Sequence, residues 1–183
     1  ALPISPTLHH PVKKAVLKPG KEVSLLRKHP WVFSGAIQEL DDAYIGDWVQ
    51  VFDSRDRLLG TGQVGDGSIA IRMVAFEAIE PNVEFWKSKL QNCLHLRQHL
   101  GFGPTNQTNA YRLVHGEGDN LPGLIIDIYN DCAVIQAHSL GMYNSLNDIA
   151  EALEQLDSLQ LKTIYNKSAA AMHGTVDEDG FLL

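Results

Sequence analysis

The segment "LLGTGQVGDGSIAIRMV" (residues 58–74) decides how the first half of the chain is read. Gly60, Gly62 and Gly65 spell G-x-G-x-x-G, the fingerprint of a loop that cradles a dinucleotide or a related cofactor. Such a loop follows a strand and opens a helix, whose free N–H groups hold the anionic parts of the ligand. Here the glycines run into Asp66-Gly67-Ser68 and then into the alternating β-branched run "IAIRMV". That is the pattern of a turn followed by a second strand, so the unit predicts a β-hairpin. No acidic residue closes a βαβ unit downstream, where residues 83–100 carry helical periodicity. The glycines then serve positive φ, a bulge or close backbone packing.

The surrounding segments agree with a small β-rich unit. "WVQVF" (48–52) alternates with period two, "DSRDR" (53–57) is a turn, and "AVLK" (15–18) leads into the turn signal Pro19-Gly20. "KEVSLLRKH" (21–29) predicts a short helix ended by Pro30, which pushes the residue before it out of the helical region. Around residues 79–82 the texture changes. Asn82 can cap a helix, and Trp86, Leu90, Cys93, Leu94 and Leu100 recur at helical spacing until Gly101. "YRLVH" (111–115), "LIIDIY" (124–129), "AVIQAHS" (133–139) and "LKTIYN" (161–166) are strand candidates. Leu146, Ile149, Ala150, Leu153 and Leu156 mark a second amphipathic helix. The expected fold class is α+β. Residues 1–11 form a lead segment expected to be flexible, 12–80 a compact barrel with one or two short helices, and 81–183 a mixed α+β domain.

With 44% hydrophobic and 20% charged residues, the composition is that of a soluble globular protein. The net charge of −7 excludes a protein coated all over with cations, but it hides an asymmetry. Residues 1–37 hold Lys13, Lys14, Lys18, Lys21, Arg27 and Lys28 against Glu22 alone. A basic segment on an acidic body points to contact with a polyanion. No stretch approaches the ~20 apolar residues that span a bilayer, and no signal peptide is recognisable, so the expectation is a cytoplasmic protein with no membrane partner. An Ala start and the apolar end Phe181-Leu182-Leu183 suggest a fragment.

The most informative stretch is "KPGKEVSLLRKHPWVFSGAI" (18–37). It gathers Lys18, Lys21, Arg27, Lys28, His29, Trp31 and Phe33 around one short helix and its exit. Cations meet phosphates, and flat rings stack on unpaired bases, so the mixture suits RNA. Some of Trp31, Phe33 and Ile37 must also serve the core. "HGEGD" (115–119) offers His115, Glu117 and Asp119 at alternating positions, a conceivable metal site on an extended segment. The preferred reading is a strand end running into a polar turn. Cys93 and Cys132 give no disulfide or metal spacing and read as small buried hydrophobes. No nucleophile elbow is present, so Ser/His/Asp hydrolase chemistry has no anchor.

Three stretches carry a family resemblance. "LKPGKEVSLLRKHPWVFSGAI" (17–37) is similar to the start of the PUA domain in S-adenosylmethionine-dependent 23S ribosomal RNA cytosine-5 methyltransferases. "LLGTGQVGDGSIAIRMV" resembles the end of that domain, with Gly60, Gly62, Ile69 and Arg72 matching. "YRLVHGEGDNLPGLIIDIY" (111–129) resembles the opening of the family's middle domain, with Arg112, Gly116, Glu117, Asp119, Leu121, Pro122, Gly123 and Asp127 in place. The resemblance implies a PUA-like barrel for RNA binding and a middle domain that helps hold ribosomal RNA. It also implies a Rossmann-like catalytic domain, with its cofactor loop and nucleophilic cysteine, beyond Leu183. On this reading the chain has no cofactor or metal of its own, and S-adenosylmethionine belongs to the C-terminal domain. The strand that completes a hairpin with the last one is expected to be cut off.

The function expected is the RNA-recognition portion of a ribosomal RNA methyltransferase, inactive alone. Contacts are assigned to Lys18, Lys21, Arg27, Lys28 and His29, with Trp31 or Phe33 stacking. Arg72 is a further candidate, or else a structural partner on its strand. The alternatives are a self-standing PUA-type RNA-binding module and a metal hydrolase built on His115, Glu117 and Asp119. Assembly is left open between a monomer and a homodimer.

Overall fold

The computed structural model describes residues 13–103, 108–172 and 179–183. The lead segment, part of the 103–109 loop and residues 173–178 lie outside them. The first half is one six-stranded sheet built from β1 (Lys13–Leu17), β2 (Trp31–Phe33), β3 (Ile37–Leu40), β4 (Trp48–Phe52), β5 (Leu58–Val64) and β6 (Ile69–Ala75). Its strand order is β2-β6-β5-β4-β1-β3, and β1 runs parallel to β4 while every other pair is antiparallel.

That order has a geometric consequence. In a flat sheet the edge strands β2 and β3 would stand about 24 Å apart, five spacings of roughly 4.8 Å. Yet they are joined by a single 3-10 turn, Ser34–Ala36. Even a fully extended connection of that length reaches only about 14 Å. The sheet must curl until its edges approach each other. The expected barrel is therefore a curled sheet whose edges are bridged by chain and not by a strand ladder. Its concave side holds the core: Ala15, Leu17, Val32, Val49, Val51, Ile71 and Met73, with Leu25 from α1 (Val23–Leu26).

The helix expected over 21–29 is shorter than its apolar spacing suggests. Lys28 takes φ +65°, a left-handed turn that stops the helix before Pro30 is reached. The G-x-G-x-x-G segment is the β5–β6 hairpin: Gln63 faces Arg72 and Val64 faces Ile71.

The second half comprises α2 (Val83–His99), β7 (Ala110–His115), β8 (Leu124–Tyr129), β9 (Cys132–Ala137), α3 (Leu140–Asn144), α4 (Leu146–Glu154), β10 (Thr163–Asn166) and β11 (Gly180–Phe181). Its sheet order is β11-β10-β9-β8-β7. Asn82 Oδ1 accepts the Phe85 N–H at 3.0 Å and caps α2. Alternation on β8 and β9 buries Leu124, Ile126, Ile128, Ala133, Ile135 and Ala137 beneath Trp86, Leu90 and Leu94 of α2 and Ile149 and Leu153 of α4. Chain reversal through α3 and α4 sets β10 parallel to β9. β11 pairs antiparallel with β10, so the hairpin expected to be cut off is present. No helix among the described residues is long and apolar enough to cross a membrane.

The halves meet through one row of side chains. Strand register places Trp31 of β2 opposite Arg72 of β6, Arg72 opposite Gln63 of β5, and Gln63 opposite Trp48 of β4. Residues paired in this way share a sheet face, and this is the convex face. Trp48 packs on Trp86 of α2, with ring centroids 6.1 Å apart. Gln63, 2% exposed, donates from Nε2 to Ser145 Oγ at 3.3 Å. It lies so close to α3 that a Cβ on Gly141 would sit 2.5 Å from its Cδ.

Gly62 sets the tightness of the hairpin, because a Cβ there would lie 2.6 Å from the carbonyl oxygen of Arg72. Backbone cannot swing aside as a side chain can. Gly62→Ala should lower stability by about 1–3 kcal/mol, the usual penalty of overpacking. Urea unfolding of the wild type and the variant measures it, and equal midpoints would refute the close-packing role.

Candidate nucleic-acid interface

Backbone geometry around α1 fixes where the basic segment points. The N–H groups of Lys28 and His29 return to the carbonyls of Leu25 and Ser24. This tight exit turns the chain into β2 and leaves Lys18, Lys21, Arg27, Lys28 and His29 exposed. Lys18 Nζ donates to the Gly35 carbonyl at 3.0 Å and so spans from the end of β1 to the 34–36 turn. Beside it, Lys21, Ser24 and Leu25 face Trp31, Phe33 and Gly35 across a groove of about 320 Å³. Lys28 Nζ sits 4.7 Å from the centre of the Phe76 ring, a cation–π contact on the same unit.

The aromatic residues divide between core and surface as strand alternation dictates. Val32 turns into the core, while Phe33 is 49% exposed and Trp31 is half-buried. Edge-to-face contacts hold the three rings in place. Trp31 stands 5.7 Å from His29 at 85° and 6.4 Å from Phe33 at 90°. His29 Nδ1 also accepts the Trp31 backbone N–H at 3.2 Å.

Trp31 and Arg72 face the second half of the chain. Trp31 Nε1 donates to Glu117 Oε1 at 3.1 Å. Together with Arg72, His115, Leu124 and His138 they line a cleft of about 480 Å³ between the two sheets. The seven sequence-derived positions thus fall into three places. Lys21 lines the groove and Lys18 bonds to its Gly35 wall, Arg27, Lys28 and His29 lie on the exit from α1 into β2, and Arg72 lies in the cleft. Trp31 lines both cavities. Sequence reading missed the cleft itself, because Trp31 and Glu117 stand 86 residues apart and nothing local links them.

The polar turn that carries Glu117 is anchored from below. Residues Gly116–Asp119 form a 3-10 turn, so the alternating side chains of an extended segment are not available. Asp119 takes a two-pronged ion pair from Arg97 of α2, with Nη1–Oδ1 3.1 Å and Nη2–Oδ2 2.6 Å, and accepts the His115 N–H at 2.6 Å. Glu117 turns the other way, to Trp31. The two carboxylates are engaged on different partners, and among the described residues no three metal-type ligands converge.

The two cysteines differ in exposure. Cys93 is buried on α2, and loss of solvation pushes its thiol up to about 11. Cys132 is half-buried at the start of β9, more accessible than its apolar surroundings in the sequence suggest. The spaced glycines fit no S-adenosylmethionine either. The space a cradle would need at Gly62 is filled by the β6 backbone, and at Gly65 by the Arg72 guanidinium.

Comparison with known proteins bears on these features. Residues 15–76 match the family of PUA-like domains. Over 146 residues, 78% of its length, the chain is 41% identical to the ribosomal RNA large subunit methyltransferase I of Alteromonas mediterranea. The chain resembles the ribosomal RNA large subunit methyltransferase I family. A protein of the same name from Yersinia pseudotuberculosis is 34% identical over 144 residues, 77% of the chain. The chain spans 36% of each of these two methyltransferases, about a third of their length. Two solved structures share the fold. A candidate SAM-dependent methyltransferase from Streptococcus mutans superposes with a TM-score of 0.72 at 22% identity, over 85% of this chain and 40% of that one. A second, solved in complex with SAH, gives 0.76 at 20% identity, over 93% and 42%.

The Arg97–Asp119 pair is almost closed to solvent, its side chains 12% and 6% exposed. Removing one partner leaves the other charged and buried. Asp119→Ala should cost about 3–5 kcal/mol. Adding Arg97→Ala to it should cost much less than a second penalty of that size. A double-mutant cycle by denaturant unfolding measures the coupling, and simple additivity would show that the pair does not anchor the turn.

Proposed function

We propose that this chain is the RNA-recognition portion of a ribosomal RNA cytosine-5 methyltransferase acting in the cytoplasm. Methyl transfer and S-adenosylmethionine binding then fall to the length of the relatives that the chain does not span. The observation that carries the reading is the set of exposed cations Lys18, Lys21, Arg27 and Lys28 on the segment whose Lys21, Trp31 and Phe33 line a groove inside the PUA-like domain. Identity of 41% to a ribosomal RNA large subunit methyltransferase I supports ribosomal RNA as the substrate class.

The chemistry of recognition follows from the parts. Ammonium and guanidinium groups on flexible stems neutralise phosphates and release condensed counterions, which makes binding strong at low salt and independent of sequence. Trp31 and Phe33 present flat apolar surface where the strand passes, and base stacking is available to any unpaired nucleotide. The acidic remainder of the chain, nine cations against 21 carboxylates outside residues 1–37, repels RNA elsewhere and confines it to this face.

Binding of a fluorescent single-stranded RNA fragment of the large-subunit ribosomal RNA, followed over a salt series, tests the reading. Affinity should fall as salt rises, with a slope of roughly −0.7 per phosphate contact. Lys21→Gln and Arg27→Gln should each weaken binding and flatten the slope by about that unit. Binding that is absent, or indifferent to salt, would overturn the assignment.

A further inference from the structure

The cleft between the two sheets is not explained by phosphate contacts, and its chemistry differs from that of the basic groove. We propose that it receives one unstacked base of the bound RNA, with Trp31 as the stacking surface and Arg72 and Glu117 as the groups that meet the base edge. The inference rests on the RNA-binding reading and assigns a second subsite to it.

Four observations lead there. Trp31 lines both the groove and the cleft, so a strand held by Lys21 in the groove has a continuous path along Trp31 into the cleft. Arg72 lines the cleft, and its buried Nη1 has no hydrogen-bond partner among the described residues. A buried donor left unpaired is costly, and an acceptor on an incoming ligand satisfies it once the guanidinium turns outward.

The third observation selects a base over a phosphate. Glu117 carries a negative charge at the cleft wall and spends one oxygen on Trp31, leaving the other as an acceptor. A carboxylate opposes a phosphate but accepts from the exocyclic amino group of a base, while arginine donates to ring or carbonyl acceptors. The fourth is room. The cleft measures about 480 Å³, within the ordinary range for a small-ligand site, and Gly116, Gly118 and Gly123 contribute backbone to its wall.

An abasic scan tests this on the 183-residue chain. Single-stranded RNA oligonucleotides carrying one abasic nucleotide at each position in turn are titrated against the protein. One position should lose affinity about tenfold, as expected for a base stacked on an aromatic ring, and the others should change little. Gly118→Leu fills the cleft without strain, since a Cβ there meets only His115 Cδ2 at 3.5 Å. Gly118→Leu and, independently, Arg72→Gln should bring the intact RNA down to the affinity of the abasic one while leaving the salt slope unchanged. A flat scan with salt-dependent binding intact, or a penalty that persists in both variants, overturns the cleft assignment alone. Absence of all RNA binding overturns the functional reading and the cleft with it.

Discussion

Everything in this molecule hangs on four residues in register across the convex face of one sheet: Trp31, Arg72, Gln63 and Trp48. Antiparallel pairing sets each beside the next, so their order is dictated by the backbone. Each then has a different task against the second half of the chain. Trp48 supplies apolar contact with Trp86, Gln63 a buried polar bond to Ser145, and Trp31 a bond to Glu117. Arg72 lines the cleft beside Trp31, and its Nη1, packed against Gly65, is buried without a hydrogen-bond partner among the described residues. A one-residue slip of β5 against its neighbours would turn Gln63 into the core and bring Gly62 and Val64 to the interface. Gly60, Gly62 and Gly65 oppose such a slip, because in the native register the β6 backbone approaches them too closely for a side chain.

The electrostatic design separates reach from selectivity. On the proposed reading, the exposed Lys18, Lys21, Arg27 and Lys28 around α1 act at the range of a Debye length and steer a polyanion to the groove. The cleft has a mixed set of donor, acceptor, ring and backbone, which a charge alone cannot satisfy. Trp31 stands at the boundary of the two and is held by three contacts, to His29, Phe33 and Glu117. Its ring is therefore preorganised, and under the proposed function a base stacking on it would not bear the entropy of ordering a loose side chain.

Much of the fold was legible in local pattern. Period-two alternation located β4, β5, β6, β8 and β9, and the Asn82 cap and apolar spacing located α2. The strand-forming residues after Gly65 distinguished the hairpin from a cofactor loop. β2 and β3 were not legible, because segments of three and four residues are too short to show a period. α3 was missed for the same reason. The basic character of the interface could be read from lysine clustering, and the family resemblance carried the methyltransferase association. What sequence could not show was which half of Trp31's surroundings it would serve. His29 and Phe33 lie two residues away, but Glu117 reaches it only after both sheets have folded, and no periodicity announces a contact of that separation. Asp119 was equally opaque: its place in a polar turn was the preferred reading, but nothing in the sequence announced its ion pair with Arg97 on a distant helix.

The bond between Trp31 and Glu117 also orders events as the chain is made. Domains fold as units and from the N-terminus during synthesis. The groove is built from residues 17–36, and its supporting sheet is complete once Ala75 has emerged from the ribosome. The cleft waits for Glu117 and His138, and Gln63 waits longer still for Ser145. During that interval the nascent chain presents a formed basic groove with its convex face uncovered. Indole fluorescence of Trp31 and Trp48 would mark the moment at which translation delivers the second sheet and that face is closed.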